Sequence, residues 1–324
     1  MKNLKKFILD KNKKKLFTPG PASLSFENIE SLAPGFGRGD SEYQKVESRV
    51  LRKLKKMSKK KNIVRMQGSG SFAIEVMIAN FLYGNVLILN SGYYSERLIQ
   101  IAKDYKNSHK NIKKIKVIDW EKYKDIDRKY DWIFFCYTET SLGLKLPIKK
   151  IYEISKKYKS KIMLDATASF GLEKYHECAD VFSYSSCKGL FGLTGASFIS
   201  YDQSPNNKIK SFNININSHL NKKMTGPYHA IYSLDLVLKN HSNFLYSVKI
   251  NKKKFTKKFK NILSIDKDLQ PLICTQVEKK VKTNSKDVIL YKPRSNINGS
   301  IICHLGEVHL KRASRGSILN YIKF

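Results

Sequence analysis

The stretch Val181-Phe182-Ser183-Tyr184-Ser185-Ser186-Cys187-Lys188-Gly189-Leu190, continued by Phe191-Gly192-Leu193-Thr194-Gly195, decides how this chain is read. It runs from a short apolar strand into small, flexible residues around one lysine. Upstream, Ile162-Met163-Leu164-Asp165 places a carboxylate at the end of another apolar strand. Short apolar runs closed by small residues are the pattern of strands buried on both faces. A lysine held at such a strand end shifts its pKa readily, so its amine can act as nucleophile and as proton carrier.

Outward from this stretch, strand and helix patterns alternate from Leu16 to about residue 210. Further strand-like runs are 86–89, 115–118, 132–136 and 196–199, with helical patterns at 72–82, 96–106 and 146–157 between them. Such alternation with buried strands predicts an α/β fold, a mostly parallel sheet covered by helices on both faces. Three segments are expected: a basic, weakly structured arm (1–15), a large domain (16–234) and a smaller C-terminal α/β domain (235–324). In the last, the pattern predicts a long lysine-rich helix over 235–262, strands near 271–277 and 301–308, and a short helix at 314–322.

Composition narrows the function. With 324 residues and 41% hydrophobic content the chain can bury a substantial core. No apolar run is long enough to span a bilayer, and the one near the N-terminus is too short for a signal peptide. Five cysteines without paired spacing fit reduced thiols in a cytoplasm and give no metal motif. The net charge of +34 raises nucleic-acid binding. The excess, however, is lysine spread along the whole chain, and no helix-turn-helix, zinc-finger or aromatic RNA-binding pattern accompanies it. Runs such as Lys59-Lys60-Lys61 read as solvated surface, so no specific nucleic-acid partner is expected.

Five features fall in order at strand ends. Gln67-Gly68-Ser69-Gly70-Ser71-Phe72-Ala73-Ile74-Glu75 is a glycine-serine loop opening into an apolar helix, where backbone N–H groups, the helix dipole and hydroxyls can hold an anion. An ordinary N-capped helix would look similar. Asn90-Ser91-Gly92-Tyr93-Tyr94-Ser95-Glu96-Arg97 offers an aromatic to stack on a planar ring. Tyr137-Thr138-Glu139-Thr140-Ser141-Leu142-Gly143 adds hydroxyls in a tight turn, and Asp165 and Lys188 complete the set. Pyridoxal phosphate chemistry uses this combination: a lysine for the cofactor aldehyde, and a carboxylate for the pyridinium nitrogen so that the ring accepts electrons.

Leu16-Phe17-Thr18-Pro19-Gly20-Pro21, the glycine-serine loop, Glu139-Thr140-Ser141-Leu142-Gly143, Asp165-Ala166-Thr167-Ala168-Ser169-Phe170-Gly171 and Lys188 together resemble the class V aminotransferases. Within that class the loop followed by Phe-Ala is most like the 2-aminoethylphosphonate:pyruvate aminotransferases. The likeness covers about residues 16–235. It implies a fold-type I pyridoxal phosphate enzyme with a seven-stranded type of sheet. Lys188 would carry the cofactor and shuttle the proton, and Asp165 would pair with the ring nitrogen. Ser69, Gly70 and Ser71 would cradle the phosphate, Tyr94 would stack, and Thr140 or Ser141 would hydrogen-bond the ring face or phenolic oxygen. Met224-Thr225-Gly226-Pro227-Tyr228-His229 resembles a segment whose threonine reaches the neighbouring subunit's phosphate, which implies a homodimer with shared sites.

Two departures matter. Thr194 stands where the family has proline, and Ile301 stands where His304-Leu305-Gly306-Glu307-Val308 should be preceded by a substrate-binding arginine. Arginine suits that place because its planar fork grips an oxyanion in two parallel bonds. Arg38, in a segment like the family's N-terminal arginine segment, and Arg315 are the expected replacements, with Arg294 and Arg312 as further candidates. The expected activity is transfer of an amino group from a small amine, 2-aminoethylphosphonate, to pyruvate or the reverse. Serine or alanine with glyoxylate is the nearest rival. A cysteine desulfurase is disfavoured because Cys187, not histidine, precedes Lys188. A basic binding protein that keeps the fold without catalysis is the rival of another class.

Overall fold

Each of the five residues Trp132–Cys136 is buried, because the strand they form lies at the middle of a sheet covered on both sides. The computed structural model describes every residue except Met1, Ser23, Ala33, Pro34, Phe36, Arg38 and Lys311. In chain order the strands are β1 Lys15–Phe17, β2 Asn62–Gln67, β3 Gly84–Asn90, β4 Ile112–Asp119, β5 Trp132–Cys136, β6 Thr138–Glu139 and β7 Leu144–Lys145. They continue with β8 Lys161–Asp165, β9 Val181–Ser185, β10 Ala196–Tyr201, β11 Cys274–Val277, β12 Val288–Leu290 and β13 Ser300–Cys303. The α-helices are α1 Lys2–Lys11, α2 Phe26–Glu30, α3 Ser41–Ser58, α4 Gly70–Phe81 and α5 Tyr93–Ser108. Then come α6 Ile148–Lys157, α7 Ile216–Leu220, α8 Tyr228–Lys239, α9 His241–Lys258 and α10 Arg312–Ser317.

Seven strands form one sheet in the order β2-β10-β9-β8-β5-β3-β4, parallel except that β10 runs against both of its neighbours. The two-residue period of a strand divides its side chains between two cores. Leu87, Leu89, Ile133 and Phe135 enter one, and Val86, Ile88, Trp132 and Phe134 enter the other. Helix α4 is apolar on nearly all sides, so it is buried against β9 and β10 rather than lying half-exposed. The outer edge is β4, where exposed Lys113, Lys114 and Lys116 keep another strand from adding on.

The expected α/β architecture and its six strand runs are all present, each inside a strand of this sheet. Three local expectations are corrected. Residues 2–11, read as a weakly structured arm, form α1, with Ile8 buried. The helix expected over 235–262 is instead two helices, α8 and α9. The backbone leaves helical geometry at Asn240 (φ −96°, ψ 5°), and His241 is pulled inward to Gly189 O at 2.8 Å. The strand expected near 301–308 stops at Cys303, and Gly306–His309 is a 3-10 turn.

The C-terminal lobe pairs β11 antiparallel with β13, and β12 parallel with β1 at the chain's start. Residues 15–17 therefore belong spatially with the C-terminal lobe. The chain then returns toward the large sheet through Thr18–Pro21.

Candidate active site

All the parallel strands end at one edge, and β10 begins there: Ala196 pairs with Gln67 and Ser197 with Ser185. Sheets of this kind bind ligands at that edge. A cavity of about 790 Å³ lies over it, lined by Lys188, Asp165, the glycine-serine loop, Tyr94 and Thr140 among others. The features that follow one another in sequence thus converge in space.

Lys188 follows β9 by three residues, in a turn where Phe191 N–H closes onto Lys188 O at 2.9 Å. Its Nζ lies 5.6 Å from the centre of the Tyr94 ring. The returning Thr18–Pro21 segment lies across it. A Cβ at Gly20 would come 3.1 Å from Lys188 Cγ, and the φ of +129° is one that side-chain-bearing residues avoid. Glycine is therefore needed here for two reasons at once. Asp165, buried at the end of β8, accepts the Thr167 N–H on Oδ1 at 2.8 Å, which fixes its carboxylate toward the cavity floor.

The glycine-serine loop is the N-terminus of α4. Ser69 is the N-cap, its Oγ accepting Phe72 N–H at 3.2 Å. Capping holds the first turn open with its N–H groups unspent, which is the geometry that receives an anion. Gly70 presses on Thr167: a Cβ there would lie 2.7 Å from Thr167 Cγ2 and 2.9 Å from its Oγ1. Ser71 Oγ accepts Arg97 Nη1–H at 2.9 Å, which brings a guanidinium to the loop. Arg97 was quoted in the sequence only as part of a strand-end motif. Its spacing from Tyr93, one helical turn, was the available signal.

Tyr94 is oriented from below by Glu139. This buried carboxylate accepts Tyr94 N–H at 2.9 Å and Ser95 N–H at 3.2 Å on Oε2, and Ser141 N–H and Oγ–H on Oε1. Burial pushes its pKa up, opposed by the hydrogen bonds from Ser141 and from the backbone of Ser95, Ser141 and Tyr94. An acid at the first turn of α5 also meets the helix dipole favourably. Ser141 is occupied by Glu139 and by Ser295, whose hydroxyl donates to it at 2.8 Å, and it does not line the cavity. Of the two hydroxyls expected at the ring, the structure brings only Thr140 to the cavity.

The lining also fits a polar, planar guest. The hydroxyls of Thr138 and Thr167 are buried without a hydrogen-bond partner among the described residues, and both line the cavity. Such groups are costly unless a ligand satisfies them. An anion cradle, a fixed carboxylate, an aromatic face and a lysine amine suit pyridoxal phosphate. Tyr291 was not anticipated from sequence. Burial raises its pKa, with Tyr94 and Thr140 close by.

Other expected site residues lie elsewhere. Thr225 is exposed and outside this cavity, and Gly226 after it packs against the guanidinium of Arg65, itself paired with buried Glu47 at 2.8 Å. Arg315 is not brought to the cavity. Its guanidinium is used inside the C-terminal lobe, on Leu310 O and Ser247 Oγ at 2.9 and 2.8 Å and on Val308 O. Arg38 and the Arg312 side chain lie outside the described residues. Ile301 is fully buried in β13, opposite Gln276. Among the described residues no group of His, Cys, Asp and Glu could hold a metal ion, and no helix is long and apolar enough to cross a membrane.

Residues 38–224 match the family model described as aminotransferase class-V. A curated 2-aminoethylphosphonate–pyruvate transaminase of Pseudomonas aeruginosa is 26% identical over 197 residues, 57% of this chain and 53% of the relative. One from Rhizobium meliloti is 29% identical over 167 residues, 48% of this chain and 44% of the relative. The chain spans about half the length of the curated relatives it matches. Among solved structures, an aspartate aminotransferase from Thermus thermophilus superposes with a TM-score of 0.77 at 15% identity, covering 94% of this chain and 99% of that one. At that identity the likeness shows a shared fold, that of fold-type I aminotransferases.

Proposed function

The chain belongs to the class-V aminotransferase family, and from this premise we propose that it transfers an amino group between a small amine and a keto acid with pyridoxal phosphate as cofactor, the pair being 2-aminoethylphosphonate and pyruvate. The observation that carries the reading is the convergence of Lys188, Asp165 and the α4 N-terminus on one cavity. The names of the curated relatives support the substrate pair.

When bound, the cofactor supplies an electron sink that stabilises negative charge at the substrate carbon. The chain supplies the rest. Ser69, Gly70 and Ser71 would hold its phosphate with the free N–H groups of the first turn of α4. Asp165 would hold the ring nitrogen, its own orientation set by Thr167 N–H. Tyr94 would cover one face of the ring, and Thr140 with Tyr291 would offer hydroxyls at its edge. Lys188 Nζ would anchor the cofactor's carbonyl carbon. When free, the same nitrogen would be the group placed to take and return a proton at the substrate carbon. The Thr18–Pro21 segment packs against the aliphatic stem of Lys188.

Exposed Thr225, held in place by the Gly226–Arg65 packing, supports a site completed by a second copy of the chain. All five cysteines are unpaired, which supports a cytoplasmic location. The test is the visible spectrum of the purified protein reconstituted with pyridoxal phosphate. A yellow band that bleaches on addition of 2-aminoethylphosphonate and returns with pyruvate is expected. Bleaching by alanine or serine alone would overturn the substrate pair, and a protein that takes up no cofactor would overturn the enzyme reading.

A further inference from the structure

The substrate proposed above carries an oxyanion at the end remote from its amine, and the position where an arginine was expected to hold that group is Ile301. Its side chain is fully buried in the core, so β13 offers no charge there. The loop after β12 does. It brings Tyr291, Lys292 and Arg294 to the cavity, opposite the start of α5.

Arg294 Nη1 donates to Tyr93 Oη at 2.9 Å, and its guanidinium carbon lies 5.1 Å from the Tyr93 ring centre. The guanidinium of Arg97 lies 5.6 Å from the same ring. The two cations pull the Tyr93 phenol below its ordinary pKa, Arg294 contributing most. Arg97 donates to Ser71 and so sits at the glycine-serine loop end of the cavity. Arg294 spends one N–H on Tyr93 and retains further donors of its planar fork. The loop that carries it is not loose. Ser295, next in the chain, donates to Ser141, which donates to Glu139, which in turn receives the N–H groups of Tyr94 and Ser95. One hydrogen-bond chain therefore fixes Arg294 relative to the residues facing Lys188.

Charge supports the same conclusion. Arg97, Lys292 and Arg294 line the cavity, whereas among the described residues the only carboxylate lining it is Asp165. Resting on the aminotransferase reading, we propose that Arg294, seconded by Lys292, is the residue that binds the substrate's remote oxyanion, and that this pair favours a doubly charged tetrahedral group over a single carboxylate. A forked donor beside a point charge suits several oxygens on one centre.

The experiment titrates the cofactor-loaded protein calorimetrically with ethylphosphonate, which carries the anion but no amine and so cannot react, and separately with propionate. In Arg294→Ala, ethylphosphonate should bind about 10- to 100-fold more weakly, the range for losing hydrogen bonds to a charged group. Cofactor content and the circular dichroism spectrum should stay as in the unaltered protein. Arg294→Lys should recover part of the loss, and Lys292→Ala should weaken ethylphosphonate more than propionate. Undiminished ethylphosphonate binding by cofactor-loaded Arg294→Ala overturns the assignment and leaves the aminotransferase reading standing. Equal affinity of the unaltered protein for the two anions overturns the charge preference. A protein that takes up no cofactor overturns the reading beneath both.

Discussion

Gly70→Ala adds a single methyl group at the point where the anion loop meets the carboxylate turn. The new Cβ would lie 2.7 Å from Thr167 Cγ2 and 2.9 Å from Thr167 Oγ1. An ordinary carbon–carbon contact is about 3.5–4.0 Å, so one side must retreat by most of an ångström. Thr167 has little freedom, because its N–H holds Asp165 Oδ1 at 2.8 Å. Overpacking of this kind costs about 1–3 kcal/mol, and alanine's better helix propensity returns at most about 1 kcal/mol. The net, about 1–2 kcal/mol, falls on the two groups proposed to hold opposite ends of the cofactor. Titration of the cofactor-free protein with pyridoxal phosphate, followed by visible absorbance, should show affinity lowered by about 5- to 30-fold. Thr167→Ser removes Cγ2, the closer obstacle, and the double variant should regain much of the loss. If Gly70→Ala binds the cofactor and unfolds as the unaltered protein does, the packing argument is wrong.

Other expectations concern the lysine and two buried acids. Lys188→Ala should leave the fold intact by circular dichroism while borohydride no longer fixes the cofactor to the chain; covalent fixation elsewhere would displace Lys188 from its role. Glu139→Gln puts an NH₂ group against backbone or hydroxyl donors, and should lower stability by about 1–3 kcal/mol in denaturant unfolding, with weaker cofactor binding through misplaced Tyr94. No change in either would mean the carboxylate does not position α5. Burial raises Glu307 from 4.5 to about 8, so the folded chain holds this proton more tightly than the unfolded chain. Its contribution is then fully present at pH below 4.5 and is lost as pH rises through about 8, up to a limit of about 5 kcal/mol. Glu307→Gln should therefore be more stable than the unaltered protein at pH 9 and not at pH 5 in urea titrations. An equal difference at both values would refute the assignment to this group.

Apolar runs marked six of the seven strands of the sheet. Buried parallel strands such as β5, β8 and β9 are short and mostly apolar, and their length with the glycine and hydroxyl residues that close them separates them from buried helix segments. The edge strand β2 escaped because Arg65 interrupts its apolar pattern. That arginine is buried by pairing with Glu47 of α3, 18 residues earlier, a contact that the local strand pattern does not show. The break at Asn240 escaped for a similar reason, since it depends on His241 reaching Gly189.

The site divides in the same way. Lys188, Asp165 and the glycine-serine loop were legible because each sits at the end of its own strand or the start of its own helix, where local sequence dictates geometry. Arg294 was one surface arginine among several, and the sequence favoured Arg38 and Arg315 over it. Only the fold of the C-terminal lobe turns Arg315 onto Leu310, Val308 and Ser247 and swings Arg294 across to Tyr93. Sequence thus determined six of the seven sheet strands, the residues that meet at their ends and the family, because these follow from short-range patterns. Which arginine reaches the cavity was decided by tertiary structure, because it depends on how a distant loop is hydrogen-bonded to the strand ends.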